Sequence, residues 1–390
     1  MDFYGYMRPN GKAGARNYVL LLPVNRSLNF IASNVERMTR NTRHFEIPAE
    51  TGRTEVDREV IARTLIGLMN NANVGGIVLL AVKSGAGSAY KNMCAERFEE
   101  EARKTGKPFR IVYLTNVGGS YNMLGETLRL TREVLLEVSD FRRENCPLSA
   151  LTLGVKCGTS DATSGIAGNP CVGAAFDQLI RAGGTAFFSE TTEIIGAEDL
   201  VAKRAVNESV AKKILSAAKH WEDKAKATGE DIRKINPIPA NIAAGISSLE
   251  EKSLGAIAKS GTSPIQDVLK YAEMPKGSGL YFVDSWMSSL SLPLCLTACG
   301  ATIMLYQMGG GKIAQHPMMP SINPTVVSPF LYLTGNAIAY SRAPDNFDFD
   351  ASPIMTEGAS IPEMGTKLLE HLSAIASGTM TKMETLNYAE

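Results

Sequence analysis

The chain has 390 residues, in which 40 Lys and Arg residues are balanced by 40 Asp and Glu residues. A net charge of zero provides no field that would draw the protein to nucleic acid or to an anionic membrane surface, so we expect neither partner. No apolar stretch approaches the ~20 residues that cross a bilayer, and the first residues lack the apolar region of a signal peptide. We therefore expect a cytoplasmic protein, and we expect it to be a homo-oligomer.

The length of the chain predicts two domains, because a single hydrophobic core stops growing near ~250–300 residues. The polar stretch SDFRRENCPLS separates the two halves, and Pro147 within it forces an extended conformation on the residue before it. We predict an N-terminal α/β domain over residues 1–146 and a C-terminal α/β domain over residues 147–390, which carries the main motifs.

Seven apolar runs along the chain each give way to a small or polar turn and usually to a helical pattern. In chain order they are YVLLL, GGIVLL, FRIVYL, LTLGV, TAFF, GLYF and ATIMLY. Continuous apolar strands are buried on both faces, as in parallel sheets covered by crossover helices. The sequence therefore predicts an α/β fold with two doubly wound, mainly parallel sheets and crossover helices.

Residues 151–205 contain the greatest concentration of candidate functional residues. The apolar run LTLGV is followed there by KCGTSDATSGIAGNP, and TAFFSE is followed by TTEIIGAE. An open α/β sheet binds ligands outside the carboxyl ends of its strands, where helix N-termini offer free N–H groups. We predict the functional site at this edge. The polar residues that it would present are Ser160, Asp161, Ser164, Asn169, Glu190, Glu193 and Glu198.

Common cofactor motifs are absent from the sequence. The phosphate-loop pattern fails at GGGKIAQ because Tyr306 stands where its first glycine belongs and Ile313 where its hydroxyl belongs, so ATP is not expected. No GxGxxG follows the first strand, so NAD is not expected. With four histidines and no HExxH, a closed zinc site is not expected either.

Several candidate residues have a functional and a structural interpretation. Glu190 and Glu193 could bind a divalent cation or share a proton as an acid/base pair, and they could equally complement a helix dipole. Ser160 and Asp161 could bind substrate hydroxyls, cap the next helix, or do both. Cys157 could be a thiolate at a helix start, although a buried and inert thiol is favoured.

Four further residues have the same ambiguity. Arg16, in GARNYV, could fork onto a substrate carboxylate with Asn17 beside it, or it could form a structural salt bridge. Asn169 and Asn241 could bind substrate hydroxyls, although Asn is common in turns for backbone reasons.

Four segments resemble one known family. They are GYMRPNGKAGARNYVLLLP, LGVKCGTSDATSGIAGNPCVGAAFDQLIRAGGTAFFSETTEIIGAEDLVAKRA, NPIPANIAAGISSLEEKSLGAIAKSGTSPI and the tail ASGTMTKME. The chain resembles the altronate/galactarate dehydratase family over nearly its whole length. The resemblance implies a hydro-lyase that converts a small anionic sugar acid, such as an aldonate or aldarate, to a 2-keto-3-deoxy acid. Large subunits of sulfolactate sulfo-lyases are relatives, so a sulfo-lyase acting on a sulfonated hydroxy acid is the alternative.

The resemblance also implies a divalent metal, Fe²⁺, Mn²⁺ or Mg²⁺, because the hydratases of the family are generally iron-dependent. Two cysteines of the family pattern are replaced here by Ser27 in PVNRSLN and Ser84 in VKSGAG, and a third is lost within AETGRTE. These changes remove soft ligands suited to iron. They leave open a non-catalytic subunit that binds sugar acids or serves assembly.

The resemblance extends to partners and to cations. In complete enzymes of the family this module follows a small N-terminal domain or associates with a separate small subunit, so we expect a partner polypeptide. The arginine of a TTGRG-like turn is Gly310 here, with Lys312 as a substitute cation.

Elimination of water from a hydroxy acid requires a base, a cation for the developing enediolate and an acid for the leaving hydroxyl. Lys252 and Lys259 lie seven residues apart and share a face if their segment is helical. One could serve as the base and the other could hold the carboxylate, or both could be solvated surface lysines. Glu190 and Glu193 complete the predicted catalytic set.

Overall fold

The computed structural model describes residues 1–49, 52–83, 91–310 and 323–386. These residues form a four-stranded and a seven-stranded parallel sheet and a small antiparallel sheet of three strands. The predicted α/β class, with two mainly parallel sheets and crossover helices, is confirmed. The antiparallel sheet was not predicted.

The strands of the described residues follow in chain order. They are β1 Asp2–Met7, β2 Ala13–Gly14, β3 Tyr18–Pro23, β4 Thr42–His44, β5 Val74–Ala81, β6 Phe109–Tyr113, β7 Glu144–Pro147, β8 Thr152–Gly158, β9 Thr185–Phe188, β10 Ile265–Leu269, β11 Gly279–Val283, β12 Ile303–Met308, β13 Phe330–Thr334 and β14 Phe349–Asp350. Each of the seven predicted runs overlaps one of these strands, with at most two residues of a run outside its strand.

The helices are numbered in the same way. They are α1 Asn29–Met38, α2 Glu55–Asn70, α3 Ala95–Lys104, α4 Leu114–Val117, α5 Ser120–Ser139, α6 Asn169–Arg181, α7 Glu198–Ala202, α8 Glu208–Lys226, α9 Ile232–Ile235, α10 Pro239–Ala243, α11 Leu249–Ile257, α12 Ser291–Ala298, α13 Ala337–Arg342, α14 Pro353–Thr356 and α15 Ile361–Ala376. A π-helical turn, Ser164–Gly168, leads into α6.

The four-stranded sheet has the order β4-β3-β5-β6, and its strands are parallel. Apolar residues of α1 and α5 pack on one face, and those of α2 and α3 pack on the other. All eight residues of β5 are buried, as a continuous apolar run between two helical layers requires. This sheet is built entirely from the N-terminal half of the chain.

The seven-stranded sheet has the order β10-β11-β9-β8-β12-β13-β14. Helices α6 and α15 cover one face, and α12 packs on the other. The chain leaves β8 toward β9 and later returns to β12 on the opposite side of β8. Because the direction of winding reverses there, the carboxyl ends of β8 and β12 mark the switch point at which open α/β sheets bind ligands.

The two halves are in direct contact. Strand β1 pairs antiparallel with β7, the segment that contains the predicted boundary. Helix α2 packs on α12 so closely at Gly67 that a Cβ atom there would lie 2.2 Å from the carbonyl oxygen of Ala298. The proposed division at residue 146 thus falls within a strand that joins the two ends of the N-terminal half.

Among the helices that the structure describes, none has both the length and the apolar composition needed to cross a bilayer.

Candidate active site

A cavity of about 260 Å³ opens at the carboxyl edge of the seven-stranded sheet. Strand β8 contributes Lys156, the segment after β9 contributes Glu190 and Glu193, and α11 contributes Lys252. Helix α11 begins at its Ser248 cap, whose side chain accepts a hydrogen bond from the N–H of Glu251. Segments that are distant in the chain therefore place four charged side chains around one cavity.

The carboxylate of Glu190 is buried and is held by three donors. Its Oε2 lies 2.7 Å from Nζ of Lys259 and accepts the N–H of Cys157 at 3.0 Å, while its Oε1 lies 3.5 Å from Nζ of Lys156. Burial alone would raise the pKa of this carboxyl, but the two ammonium groups and the N–H outweigh burial and lower it. Glu190 is therefore an anion at neutral pH.

Glu190 also has a left-handed backbone conformation, with φ 73° and ψ 64°. A residue with a Cβ atom adopts this conformation only where its surroundings enforce it, and such strain is concentrated at functional sites. The donors around the carboxylate provide that enforcement.

Both lysines that contact Glu190 remain charged despite their burial. Burial lowers the pKa of Lys156, but Glu190 and the nearby Tyr306 outweigh it and raise the pKa. Burial likewise lowers the pKa of Lys259, and the Cys157 sulfur and the Glu190 carboxylate raise it by more. Lys156 lines the cavity, with Nζ 4.6 Å from the centre of the Tyr306 ring.

Lys252 and Glu193 form a second buried pair. Nζ of Lys252 lies 3.1 Å from Oε2 of Glu193 and donates to Oδ1 of Asn236 at 2.6 Å. Among the residues that the structure describes, the other oxygen of Glu193, Oε1, has only a long 3.5 Å contact, from Nδ2 of Asn236. Glu193 is therefore less firmly engaged than Glu190.

Three lysines and two glutamates leave this cluster with one net positive charge. The members are Lys156, Lys252, Lys259, Glu190 and Glu193. A buried positive cluster beside a cavity favours an anionic ligand, and a carboxylate accepts hydrogen bonds from ammonium groups.

Asp161, in the turn after β8, is hydrogen-bonded to the turns that follow β12 and β13. Its Oδ1 accepts the N–H of Ser164 at 3.1 Å, and its Oδ2 accepts Nδ2 of Asn336 at 2.9 Å together with the N–H of Gly310. A Cβ atom on Gly310 would lie 2.0 Å from Nδ2 of Asn336, so this turn has no room for a side chain. The bond from the N–H of Ser164 agrees with the interpretation of Asp161 as a cap of the following helix.

The remaining predicted residues near the cluster are two asparagines and a serine. Asn241 lines the 260 Å³ cavity and donates from Nδ2 to the carbonyl of Ser160 at 3.0 Å. Asn169 lines a neighbouring cavity of about 250 Å³ and donates from Nδ2 to the carbonyl of Gly255 at 2.8 Å. Ser160 lines both cavities.

The structure does not bring Arg16 and Asn17 to this cluster. Nε and Nη2 of Arg16 each lie 2.7 Å from an oxygen of Glu384, and its other donors bond backbone carbonyls. Asn17 accepts from Arg8 and donates to the carbonyl of Val138. These are structural contacts between distant segments.

Three other predicted positions lie elsewhere or outside the described residues. Ser27 lies in the 3₁₀-helical turn Arg26–Leu28, which follows strand β3 of the four-stranded sheet. Lys312 and Ser84 lie outside the described residues, so their predicted roles stay predictions.

Sequence reasoning missed Lys156 and Asn236. KCGTSD was interpreted as a turn, whereas β8 continues through Gly158 and places Lys156 inside a buried strand. A lysine directly after an apolar run was the available signal, because a buried lysine requires a carboxylate partner. Asn236 gave no comparable signal.

The described residues do not form a recognisable metal site. Glu190 and Glu193 are each paired with lysines, and the described part of the chain has no group of three or more His, Cys, Asp or Glu side chains that could hold a metal ion. The predicted Glu190–Glu193 metal site therefore does not fit this geometry.

Comparison with known families identifies the class of protein. Residues 148–390 match the model for the C-terminal domain of D-galactarate/altronate dehydratases, and residues 5–139 match the model for the second domain of D-galactarate dehydratase/altronate hydrolase. The chain therefore belongs to the D-galactarate/altronate dehydratase family, as the sequence motifs predicted. It is a member of a family of lyases.

Individual relatives match nearly the whole chain. The (2R)-sulfolactate sulfo-lyase subunit beta of Chromohalobacter salexigens is 32% identical over 100% of this chain and 96% of its own length. The altronate dehydratase of Bacillus subtilis is 29% identical over 100% of the chain and 76% of its own length. The galactarate dehydratase (L-threo-forming) of Escherichia coli is 30% identical over 96% of the chain and 73% of its own length.

Proposed function

We propose that the chain is a hydro-lyase that eliminates water from a polyhydroxy carboxylic acid and yields a 2-keto-3-deoxy acid. The observation that carries the proposal is the buried, net positive cluster at the switch point of the sheet. The names of the relatives support it, since two of them are sugar-acid dehydratases.

In this proposal Lys156 binds the substrate carboxylate. Its ammonium lines the cavity and keeps its charge because Glu190 compensates it. When the proton beside the carboxylate is removed, negative charge spreads onto the carboxylate oxygens as an enediolate forms. A fixed cation at that point stabilises the transition state more than the ground state.

Glu193 and Lys252 would perform the proton transfers. The less engaged Oε1 of Glu193 takes the proton beside the carboxylate, and the Lys252 ammonium gives a proton to the leaving hydroxyl, which departs as water. The 3.1 Å contact between the two side chains then returns the proton from Glu193 to Lys252. The enol that remains tautomerises to the 2-keto product.

Glu190 and Lys259 would act as positioning residues. Lys259 is fully buried beside Cys157 and does not line the cavity. It anchors Glu190, which in turn holds Lys156 in its charged form. Their substitution would lower turnover by displacing Lys156.

Product formation tests the proposal directly. The purified chain would be incubated with a panel of aldonic and aldaric acids, with and without its expected small partner polypeptide and with Fe²⁺, Mn²⁺, Mg²⁺ or a chelator. We expect a 2-keto-3-deoxy acid from at least one acid. If no acid yields product under any of these conditions, the proposal is wrong, and binding without turnover would favour the non-catalytic subunit.

Matched variants test the assigned roles. Glu193→Gln and Lys252→Ala should each lower kcat by about 100-fold or more, the usual contribution of a positioned acid or base. The controls are Glu370→Gln and Lys234→Ala, which replace exposed side chains and should leave kcat unchanged. Equal kcat in the two pairs would contradict the roles.

A sulfo-lyase is the second candidate, because the sulfo-lyase subunit matches this chain from end to end whereas the dehydratases extend beyond it. That relative is by name one subunit of an enzyme, which supports the expected separate partner polypeptide. The same base and carboxylate-binding lysine would release sulfite from a sulfonated hydroxy acid. Free sulfite in the assay would identify this reaction.

A further inference from the structure

A second cavity adjoins the proposed active site. It has a volume of about 250 Å³ and shares Ser160 and Lys252 with the first cavity. The residues that it does not share lie on the π-helical turn before α6, at the start of α6, on α11 and in the segments that precede the π-helical turn and α11. The two cavities therefore meet at the side chain to which we assign proton donation.

Asn169, which lines the second cavity, has a buried hydrogen-bond acceptor without a partner among the described residues. Asn169 is 1% exposed, and its Oδ1 has no hydrogen-bond partner among the described residues. The orientation of this amide is fixed, because its Nδ2 donates to the carbonyl of Gly255 at 2.8 Å. A rotated amide would point an oxygen at that carbonyl, so the free atom is an acceptor.

A buried acceptor without a donor is unfavourable, and a ligand hydroxyl would remove that cost. The acceptor is neutral, and the cavity wall combines the apolar side chains of Ile166 and Leu254 with the carboxylates of Asp161 and Glu251, which disfavour a second anionic group. Such a wall suits the alternating carbon and hydroxyl groups of a sugar chain better than a second strongly charged group.

We infer that the second cavity binds the distal hydroxyl-bearing end of the substrate and that Asn169 selects for it. The inference rests on the proposed function, because it requires the carboxylate end to occupy the first cavity. A chain of about six carbons then passes between Ser160 and Lys252. A three-carbon acid occupies the first cavity and does not reach the second. The inference therefore favours a sugar acid over a sulfonated three-carbon acid.

Calorimetric titration of the full chain with altronate, a six-carbon acid with a single carboxylate, and with glycerate, which has three carbons, tests this inference. In Asn169→Leu, which removes the acceptor, we expect the affinity for altronate to fall about tenfold and that for glycerate to stay unchanged.

A second variant keeps the inference testable if Asn169→Leu does not fold. Ile166 lines the cavity and is 54% exposed, so Ile166→Trp should fold normally while its bulk shortens the cavity. We expect it to weaken altronate binding about tenfold and to leave glycerate binding unchanged.

Two outcomes would overturn the inference. One is a wild-type chain that binds glycerate at least as tightly as altronate. The other is a pair of variants, Asn169→Leu and Ile166→Trp, that weaken the binding of both acids equally. Product formation reports separately on the proposed function. Turnover without a preference for chain length would refute the second cavity as a subsite and leave the lyase intact.

Discussion

Nζ of Lys259 lies 2.7 Å from Oε2 of Glu190, and each side chain is 1% exposed. Two charges buried this deeply depend on each other, because removal of either one leaves the other unpaired in a low-dielectric environment. Oε2 of Glu190 also accepts a hydrogen bond from the main-chain N–H of Cys157, at the end of the central strand β8. Stability and active-site geometry therefore depend on the same contact.

Replacement of Glu190 should destabilise the fold. Glu190→Gln leaves Lys156 and Lys259 buried without a carboxylate, so we expect the free energy of unfolding to fall by about 3 kcal/mol. Urea denaturation measures it, with Glu370→Gln on the surface as the control. Adding Lys259→Met to Glu190→Gln should recover part of the loss. A loss no greater than that of the control would contradict the pairing.

Cys157 should be unreactive. Burial raises the pKa of its thiol to about 11, with Glu190 adding to the increase and Lys259 opposing it. At pH 8 we expect iodoacetamide to alkylate Cys157 at least about 100-fold more slowly than the partly exposed Cys94. Peptide mass spectrometry measures both rates.

The direction in which the alkylation rate of Cys157 changes in a charge variant shows whether Glu190 contributes to the raised pKa. Glu190→Gln removes the negative charge that raises the pKa of Cys157 and keeps the lysines, so alkylation should become faster. An unchanged rate in this variant would show that burial alone controls the thiol.

The fold could be predicted from the sequence because hydrophobic burial is local information. Runs such as GGIVLL are apolar on both faces, and only a sheet between two helical layers buries both faces. The antiparallel sheet could not be predicted, because β7 lies in the polar segment ENCP and is defined by its pairing with β1. Pairing with a distant strand leaves no pattern in either segment.

The site could be predicted only in part, for a similar reason. Lys252 and Glu193 were recognised from motifs, and their pairing came from the structure. Lys156 was assigned to a turn because a charged residue normally ends a buried strand. The strand continues because Glu190, 34 residues further along the chain, neutralises that charge.

Asp348 should give the fold a pH dependence of unusual sign. Burial raises the pKa of its carboxyl to about 6, against the opposing N–H groups of Lys382 and Tyr332. The folded protein thus keeps a proton that the unfolded chain releases near pH 4. This contribution to stability is fully present below about pH 4 and is lost as the pH rises to about 6, a decrease of about 2–3 kcal/mol.

Asp348→Asn isolates this contribution, because the amide does not titrate. From pH 4 to pH 6, the unfolding free energy of the wild type should fall by about 2–3 kcal/mol relative to that of Asp348→Asn. The difference between the two should stay constant from pH 7 to pH 8. Urea denaturation at each pH measures it, and a difference that does not vary with pH would refute the raised pKa.

The two interpretations of Arg16, a substrate contact and a structural salt bridge, predict different effects of its replacement. Its guanidinium bonds Glu384 through two nitrogens and also reaches the carbonyls of Ile375 and Thr379, so it fastens the segment before β3 to the C-terminal segment. Lysine cannot reproduce a planar fork, so Arg16→Lys should lower the free energy of unfolding by about 2 kcal/mol. Substrate KM should stay within about twofold of the wild type, because the guanidinium does not line either cavity.

The exposed Arg132 provides the matched control, since Arg132→Lys should change neither quantity. Steady-state kinetics and urea denaturation on the same preparations separate the two interpretations of Arg16. A raised KM with unchanged stability would require the substrate to contact Arg16, and would place the binding site at the N-terminal segment. Lost stability with an unchanged KM would show that Arg16 has a structural role. A substrate that does not contact the guanidinium binds equally well after its replacement, as long as the protein stays folded.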